Sequence, residues 1–237
     1  MSTEKAVFLT GFPGFIASRL LRRLASEGGR FLLLVQPAFA ERAKEELKNI
    51  AAHTGRSISD FALLPGDITQ TNLGLSPADF ETARSQSTVL FHLAAIYDLA
   101  VARDIAMRVN VEGTRNVNQF AASLPRLGHY HYISTCYVAG KRKGIIYEHE
   151  LQHDAGFRNY YEETKYLAEV SVEELKSALP ITIHRPAVVC GDSHTGETAK
   201  YDGIYYLIRY LLKWPSLLSA FNIGNSEVTL KDRKSVV

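Results

Sequence analysis

The chain has 237 residues, 46% of them hydrophobic and 22% charged, which is ordinary for a globular protein and enough to bury a full core. A net charge of +2 excludes the concentrated basic face that nucleic-acid binding needs, and two cysteines, Cys136 and Cys190, exclude a disulfide framework. No apolar run reaches membrane-spanning length, because the most hydrophobic stretch, 204–221, is interrupted by Arg209, Lys213 and Pro215. The N-terminal residues Met1-Ser2-Thr3-Glu4-Lys5 lead into a strand without a signal-peptide pattern, so the expected compartment is the cytoplasm.

Short apolar runs then alternate with helical patterns. Ala6-Val7-Phe8-Leu9 reads as a strand, and Ile16, Leu20, Leu21 and Leu24 recur at helical spacing after it. Gly28-Gly29 ends that helix, Phe31 to Val35 is the second strand, and Ala40 to Ala52 is a charged helix beyond Pro37. Further strands are predicted at Phe61 to Leu64, Thr88 to Leu93, Tyr130 to Ser134 and Ile181 to His184. Helices are predicted over 105–124 and 160–178. Strands that are apolar throughout, with helices between them, predict an α/β fold: a doubly wound parallel sheet covered on both faces. The expected domain occupies 1–190. An incomplete substrate lobe is expected over 191–230, with a turn and the start of a strand at 222–230. Residues 232–237 match a translated sequencing adapter, so 231–237 is expected to be a non-native tail.

Two motifs carry the chemistry. Thr10-Gly11-Phe12-Pro13-Gly14-Phe15-Ile16-Ala17 is a glycine-spaced turn from the first strand into the first helix. Its first glycine permits a tight turn, its second lets backbone approach a pyrophosphate, and small Ala17 allows helix to pack on strand. The spacing is Gly-x-x-Gly-x-x-Ala, and a turn without a ligand is the alternative. Gln36 stands where a ribose-binding carboxylate would end the second strand, so NADP is favoured over NAD, with Arg42 and Lys44 as nearby cations. Asp67 and Ile68 follow the third strand and are placed to bracket an adenine, or simply to end a strand.

The second motif is Tyr161 and Lys165, four residues apart and so on one helical face, with Thr135 at the carboxyl end of the fifth strand. A carbonyl that receives hydride becomes an alkoxide and needs a proton. A phenol near ~10 is poorly matched to neutral pH, and lowering it by ~2–3 units takes about 3–4 kcal/mol. One ammonium ~4 Å away at an effective dielectric of ~20 supplies about 4 kcal/mol, so Lys165 is expected to bring Tyr161 down, while Thr135 holds the oxygen. Lys165 is also within reach of a cofactor ribose hydroxyl. Tyr137 and Lys141 have the same spacing but span Gly140, in a loop. His149-Glu150-Leu151-Gln152-His153 matches the zinc-protease helix pattern but lies between glycines, so no metal is expected. His92 is expected to be a packed or turn histidine. Cys136 and Cys190 are expected to be small buried side chains.

These residues, with Gly66-Asp67-Ile68, His92-Leu93-Ala94-Ala95, Asn110-Val111-Glu112-Gly113-Thr114 and Ser134-Thr135, resemble the extended short-chain dehydrogenase/reductase family, which has an NAD(P)-binding Rossmann fold. The resemblance implies that Gly11, Phe12, Pro13, Gly14, Phe15 and Ile16 form the pyrophosphate turn and that Asp67 and Ile68 flank adenine. It puts Ala94 and Ala95 on the ribose side and makes Thr135, Tyr161 and Lys165 the catalytic trio. Asn110 is implied as structural or water-organising. His184-Arg185-Pro186-Ala187-Val188-Val189 resembles the strand and loop at the nicotinamide, with Pro186 and Val188 against the cofactor. Gly191 to Glu197 and Lys200 to Gly203, together with threonine at 135, resemble the branch containing fatty acyl-CoA reductases and thioester reductase domains. The implied activity is reduction of an acyl thioester, aldehyde or ketone by NADPH, on a small-molecule substrate, acyl-CoA or a carrier-bound acyl chain. A homo-oligomer is compatible with the sequence. The alternatives are a nucleotide-sugar epimerase or dehydratase with tightly held NAD, and a non-catalytic NAD(P)-binding regulator.

Overall fold

The computed structural model of the chain describes residues 5–198 and 204–213. The predicted elements at 214–230 and the tail at 231–237 lie outside the described residues. The chain divides into two compact units, Met1–Val189 and Cys190–Val237.

The first unit is built on six parallel strands: β1 (Ala6–Thr10), β2 (Arg30–Val35), β3 (Phe61–Pro65), β4 (Val89–His92), β5 (His129–Ile133) and β6 (Ile181–His184). Their order across the sheet is β3-β2-β1-β4-β5-β6. The predicted doubly wound α/β fold is therefore the observed one. β1 is buried at every position because it is central and covered on both faces, which is why it reads as Ala-Val-Phe-Leu-Thr without alternation. The order reverses between β1 and β4, and in such sheets ligands bind in the crevice outside the carboxyl ends at that point. Thr10, His92 and the residues after β5 all lie along this edge.

Helices α1 (Phe15–Ser26) and α2 (Ala40–Thr54) bury Ala17, Leu21, Ala25, Ala43, Leu47 and Ile50 against one face of the sheet. The opposite face packs against α3 (Pro77–Gln86), α5 (Gly113–Ser123) and α6 (Tyr160–Glu173), whose buried apolar residues include Ala83, Phe120, Ala168 and Val172. Phe8 of β1 meets Phe120 at 4.7 Å between ring centroids. The predicted helix over 105–124 is three pieces: α4 (Arg103–Ala106), a π-helical turn (Met107–Glu112) and α5. Helix α6 starts at Asn159, whose side chain accepts the Glu162 N–H at 2.9 Å, and it ends at Glu173 rather than 178. A last helix, α7 (Ile204–Lys213), belongs to the second unit.

Leu32 is fully buried in the cluster that joins sheet to α3, α5 and α6. Leu32→Ala is expected to cost about 2–5 kcal/mol of stability, read as a lowered midpoint in urea unfolding.

Candidate active site

The glycine turn is shaped by close approach of two strand ends. Gly11 has φ +88°, and a Cβ there would stand 2.8 Å from the Ala94 nitrogen and 2.9 Å from the Leu93 carbonyl carbon. Gly14 donates its N–H to the Gly11 carbonyl at 2.8 Å and leads into α1 without a side-chain cap. No acidic residue occupies the first turn of α1, so its N-terminal amides and dipole present an uncompensated positive end to an anion. Thr10 Oγ1 accepts the N–H groups of Leu93 (3.2 Å) and Ala94 (3.1 Å) and bonds His92 Nδ1 at 2.8 Å. With both acceptances made, its own proton goes to His92 Nδ1, which leaves Nε2–H to donate to Thr114 Oγ1 at 3.0 Å. Burial holds His92 down to about 3, so the ring is neutral, the packed role expected of it.

The turn's residues divide by direction. Phe12 is in the core with Val7 and Leu9, and Pro13 is buried too, so both offer a ligand backbone alone. Phe15 lies beneath the Arg19 guanidinium at 4.8 Å, and Ile16 is exposed. On the adenine side, Ile68 is likewise a core residue packed on Gly113, so its side chain is not turned to a ligand. Asp67 is half-buried, and its Oδ2 accepts from Gln36 Nε2 at 2.9 Å. The end of β2 therefore carries a carboxylate after all, borrowed from the loop after β3. Lys44 is committed to Glu41 at 2.7 Å on the exposed face of α2. Ala94 is half-buried against the core and Ala95 exposed.

At the β5 end, Thr135, Tyr161 and Lys165 are all buried, at 5%, 7% and 3% exposure. Burial pushes the Tyr161 phenol up to about 12, and the Thr135 hydroxyl, whose oxygen accepts the Tyr137 N–H at 3.3 Å, is the neighbour that draws it down. This corrects the expected lowering by Lys165. The Lys165 ammonium donates instead to Tyr132 Oη and to the Ile133 carbonyl, each at 2.9 Å, and lies 4.5 Å from the Tyr132 ring centre. Burial lowers Lys165 to about 7, against the pull of Glu169. Tyr97, from the loop after β4, meets the Tyr161 ring edge-on at 5.1 Å. Asn110, on the π-helical turn, accepts from the Ile96 N–H at 2.9 Å and donates to Thr164 Oγ1 at 3.0 Å, which ties that loop to α6. Pro186 accepts the Cys136 N–H at 3.0 Å, bringing the segment after β6 beside Thr135, while Val188 is exposed. An open cleft of about 580 Å³ at the start of α6 is lined by Leu99, Val101, Phe157, Arg158, Tyr160 and Glu163 and by none of the trio.

The rival patterns resolve differently. Tyr137 lies in a 3-10 turn and Lys141 beyond Gly140 at φ +61°, with no shared helix. His149 to His153 is irregular, and His153 Nε2 bonds the Val138 carbonyl at 2.8 Å while its ring packs on Phe157 and Tyr166. Both cysteines are exposed, contrary to expectation, because Cys136 begins the turn beyond β5 and Cys190 follows β6. Sequence reasoning missed Tyr97, Tyr132, Glu169 and the bonding role of Arg185. Glu169 was findable, being four residues past Lys165 on the same helical face.

The NAD-binding male sterility protein family model matches residues 9–230. The chain belongs to this family. The expected likeness to extended short-chain dehydrogenase/reductases is thus borne out. The chain is 30% identical to the aldehyde reductase lnaA of Aspergillus flavus over 87% of its own length and 21% of that protein's. It is 25% identical to the fatty acyl-CoA reductase wat of Drosophila melanogaster over 85% of its length and 46% of that protein's. Among solved structures, the terminal R domain of the myxalamid PKS-NRPS biosynthetic pathway superposes with a TM-score of 0.77 at 27% identity, covering 90% of this chain and 56% of that one. An NAD complex of the Bordetella bronchiseptica enzyme WbmG (TM-score 0.68, 19% identity, covering 90% of this chain and 61% of that one) shares the fold. The chain spans about half or less of the curated relatives it matches. The expectation of an NAD(P)-dependent oxidoreductase agrees with the fatty acyl-CoA reductase and the aldehyde reductase among these relatives.

Gly11→Ala sets a Cβ against the Leu93–Ala94 backbone at a strained φ. It is expected to destabilise the chain by about 1–3 kcal/mol in urea unfolding and to weaken cofactor binding at least tenfold by fluorescence titration. Lys165 sits near about 7 when folded and ~10.4 when unfolded, so between those values the unfolded chain holds more protons. Its contribution to stability therefore rises with pH through that window. Urea midpoints of wild type and Lys165→Met are expected to differ in slope against pH there, with the variant flatter.

Proposed function

We propose that this chain is the cofactor-binding and catalytic part of an NADPH-dependent reductase acting on the carbonyl of an acyl thioester, or of a related aldehyde or ketone. The observation that carries the reading is the meeting of Thr135, Tyr161 and Lys165 at the carboxyl edge of the sheet, on the side of the glycine turn. The turn fits a dinucleotide, because Gly11 and Gly14 allow a winding too tight for any Cβ, which would strike the chain's own backbone, and α1 opens without cap or carboxylate. When bound, the nicotinamide would supply the hydride.

The protein's own residues do the rest. Thr135 and Tyr161 are the two hydroxyls that would meet the substrate oxygen, Thr135 holding it while the Tyr161 proton would pass to it as the carbonyl carbon gains hydride. Lys165 places positive charge beneath the site and takes a cofactor ribose hydroxyl. From a thioester the product of this step is a hemithioacetal, which loses thiol to leave an aldehyde. Relatives that include a fatty acyl-CoA reductase and a PKS-NRPS R domain support acyl groups carried on CoA or on a carrier protein. Gln36, just past β2, favours NADPH, while the Asp67 carboxylate it holds favours NADH, so both cofactors belong in the assay. For the epimerase alternative, the likeness to a UDP-galactose 4-epimerase at 19% identity carries the fold and no more.

The test follows NADPH and NADH oxidation with acyl-CoA of graded chain length and with simple aldehydes. Turnover of one class is the expected result, and no oxidation across the panel rejects the reading. Tyr161→Phe is expected to lower turnover by about 10²–10⁴-fold while cofactor affinity stays within about threefold. Unchanged turnover removes Tyr161 from its role.

A further inference from the structure

We propose that Glu169 is a positioning residue for this reaction, its buried carboxylate fixing the three segments that carry the site and holding Lys165 as the ammonium. The inference rests on the function proposed above. Glu169 is fully buried on α6, one turn beyond Lys165. Its Oε2 accepts the hydroxyl of Ser134, the residue before Thr135. Its Oε1 accepts from Arg185 Nε at 2.8 Å and from Arg185 Nη2, immediately before Pro186. One carboxylate therefore joins the helix of Tyr161 and Lys165, the strand end of Thr135 and the segment after β6. Arg185 is anchored in turn by donating to the Glu148 carbonyl at 2.9 Å.

The charge argument uses the same atoms. Lys165 has two neutral acceptors, Tyr132 Oη and the Ile133 carbonyl, and neither compensates an ammonium. The titratable and charged groups around it are Tyr161 and Glu169 on its own helix, Tyr132 on β5, His92 on β4 and Arg185 behind Glu169. His92 is neutral and the Tyr132 phenol is held up by burial, so Glu169 is the anion among them. Glu169 raises Lys165 against its burial. Arg185 draws on the same carboxylate and so limits how far Glu169 can do this. The pair sets the charge of Lys165 between them.

Two variants separate this from a role in packing. In the full chain, NADPH affinity by fluorescence and, with a substrate in hand, turnover are followed across pH on both sides of about 7, each variant read against wild type. Glu169→Gln removes the anion and keeps the shape, and the midpoint at which affinity falls with rising pH is expected to drop by about one unit, a tenfold change in ammonium fraction. Arg185→Met removes a cation and frees the carboxylate, and the same midpoint is expected to rise by a similar amount. A packing role lowers both activities without opposed shifts, so midpoints that stay put, or move together, overturn the proposal. If Glu169→Gln fails to fold, the direction of the Arg185→Met shift decides alone. Wild type that binds no NADPH at any pH overturns the functional reading and this inference with it; binding without the opposed shifts overturns this inference only.

Discussion

A lysine is buried here among neutral acceptors, and much of the unit's polar architecture answers that constraint. An ammonium out of water is costly by several kcal/mol unless neighbours replace its hydration. Lys165 finds two acceptors on β5, and the charge of Glu169, one turn along its own helix, favours the ammonium without pairing to it. The acceptors require α6 to lie close over β5, which the small Ala168 on the same face of the helix permits. Tyr132 serves twice, filling core volume with its ring and turning its hydroxyl to the ammonium. The carboxylate needs partners of its own, and Ser134 and Arg185 come from the two neighbouring strand ends. A requirement at one side chain thus propagates to the spacing of three segments.

The same device recurs around the site edge. Thr10 holds the glycine turn to the residues after β4 through two backbone amides and passes its proton to buried His92. Asn110 holds the loop after β4 to α6, and it does so from a π-helical turn, where the wider winding re-aims side chains relative to the helices on either side. Thr10, Asn110 and Glu169 are each buried polar residues whose bonds run between segments distant in sequence. An unsatisfied group at any of them would cost more than its bond is worth, so the segments are held to one arrangement.

The sheet was legible because the central strands β1 and β2 are apolar and buried nearly throughout, while β5 and β6 keep a period-two alternation rich in aromatic and β-branched residues; all six were placed within a residue or two of their observed ends. The cofactor turn and the trio were legible because glycines and a four-residue spacing are local. Helix α3 was not read, although Ser76, Pro77 and Asp79 form an N-terminal signature with a side-chain cap at 3.1 Å. What failed was direction in three dimensions. Spacing put Tyr161 and Lys165 on one face but did not reveal that the ammonium turns to Tyr132 and Ile133. Motif position counted Phe12 and Ile68 as ligand contacts, while packing sends both side chains inward. The link between Gln36 and Asp67 joins two loops that are neighbours only once β2 and β3 pair.

The elevated phenol bears on the direction of the chemistry. A group that takes a proton from an alcohol must be ionised first, and at about 12 only on the order of 10⁻⁵ of Tyr161 is phenolate at neutral pH. A group that gives a proton to an alkoxide needs only to remain protonated, and the alkoxide is a stronger base than the phenolate left behind. In the proposed reaction, burial would therefore suit Tyr161 to reduction. The Thr135 hydroxyl keeps the phenol from rising further and would there share the oxygen's charge. The desolvation that makes Lys165 expensive is the same one that keeps its neighbour an acid, so both properties follow from setting α6 tightly over the end of β5.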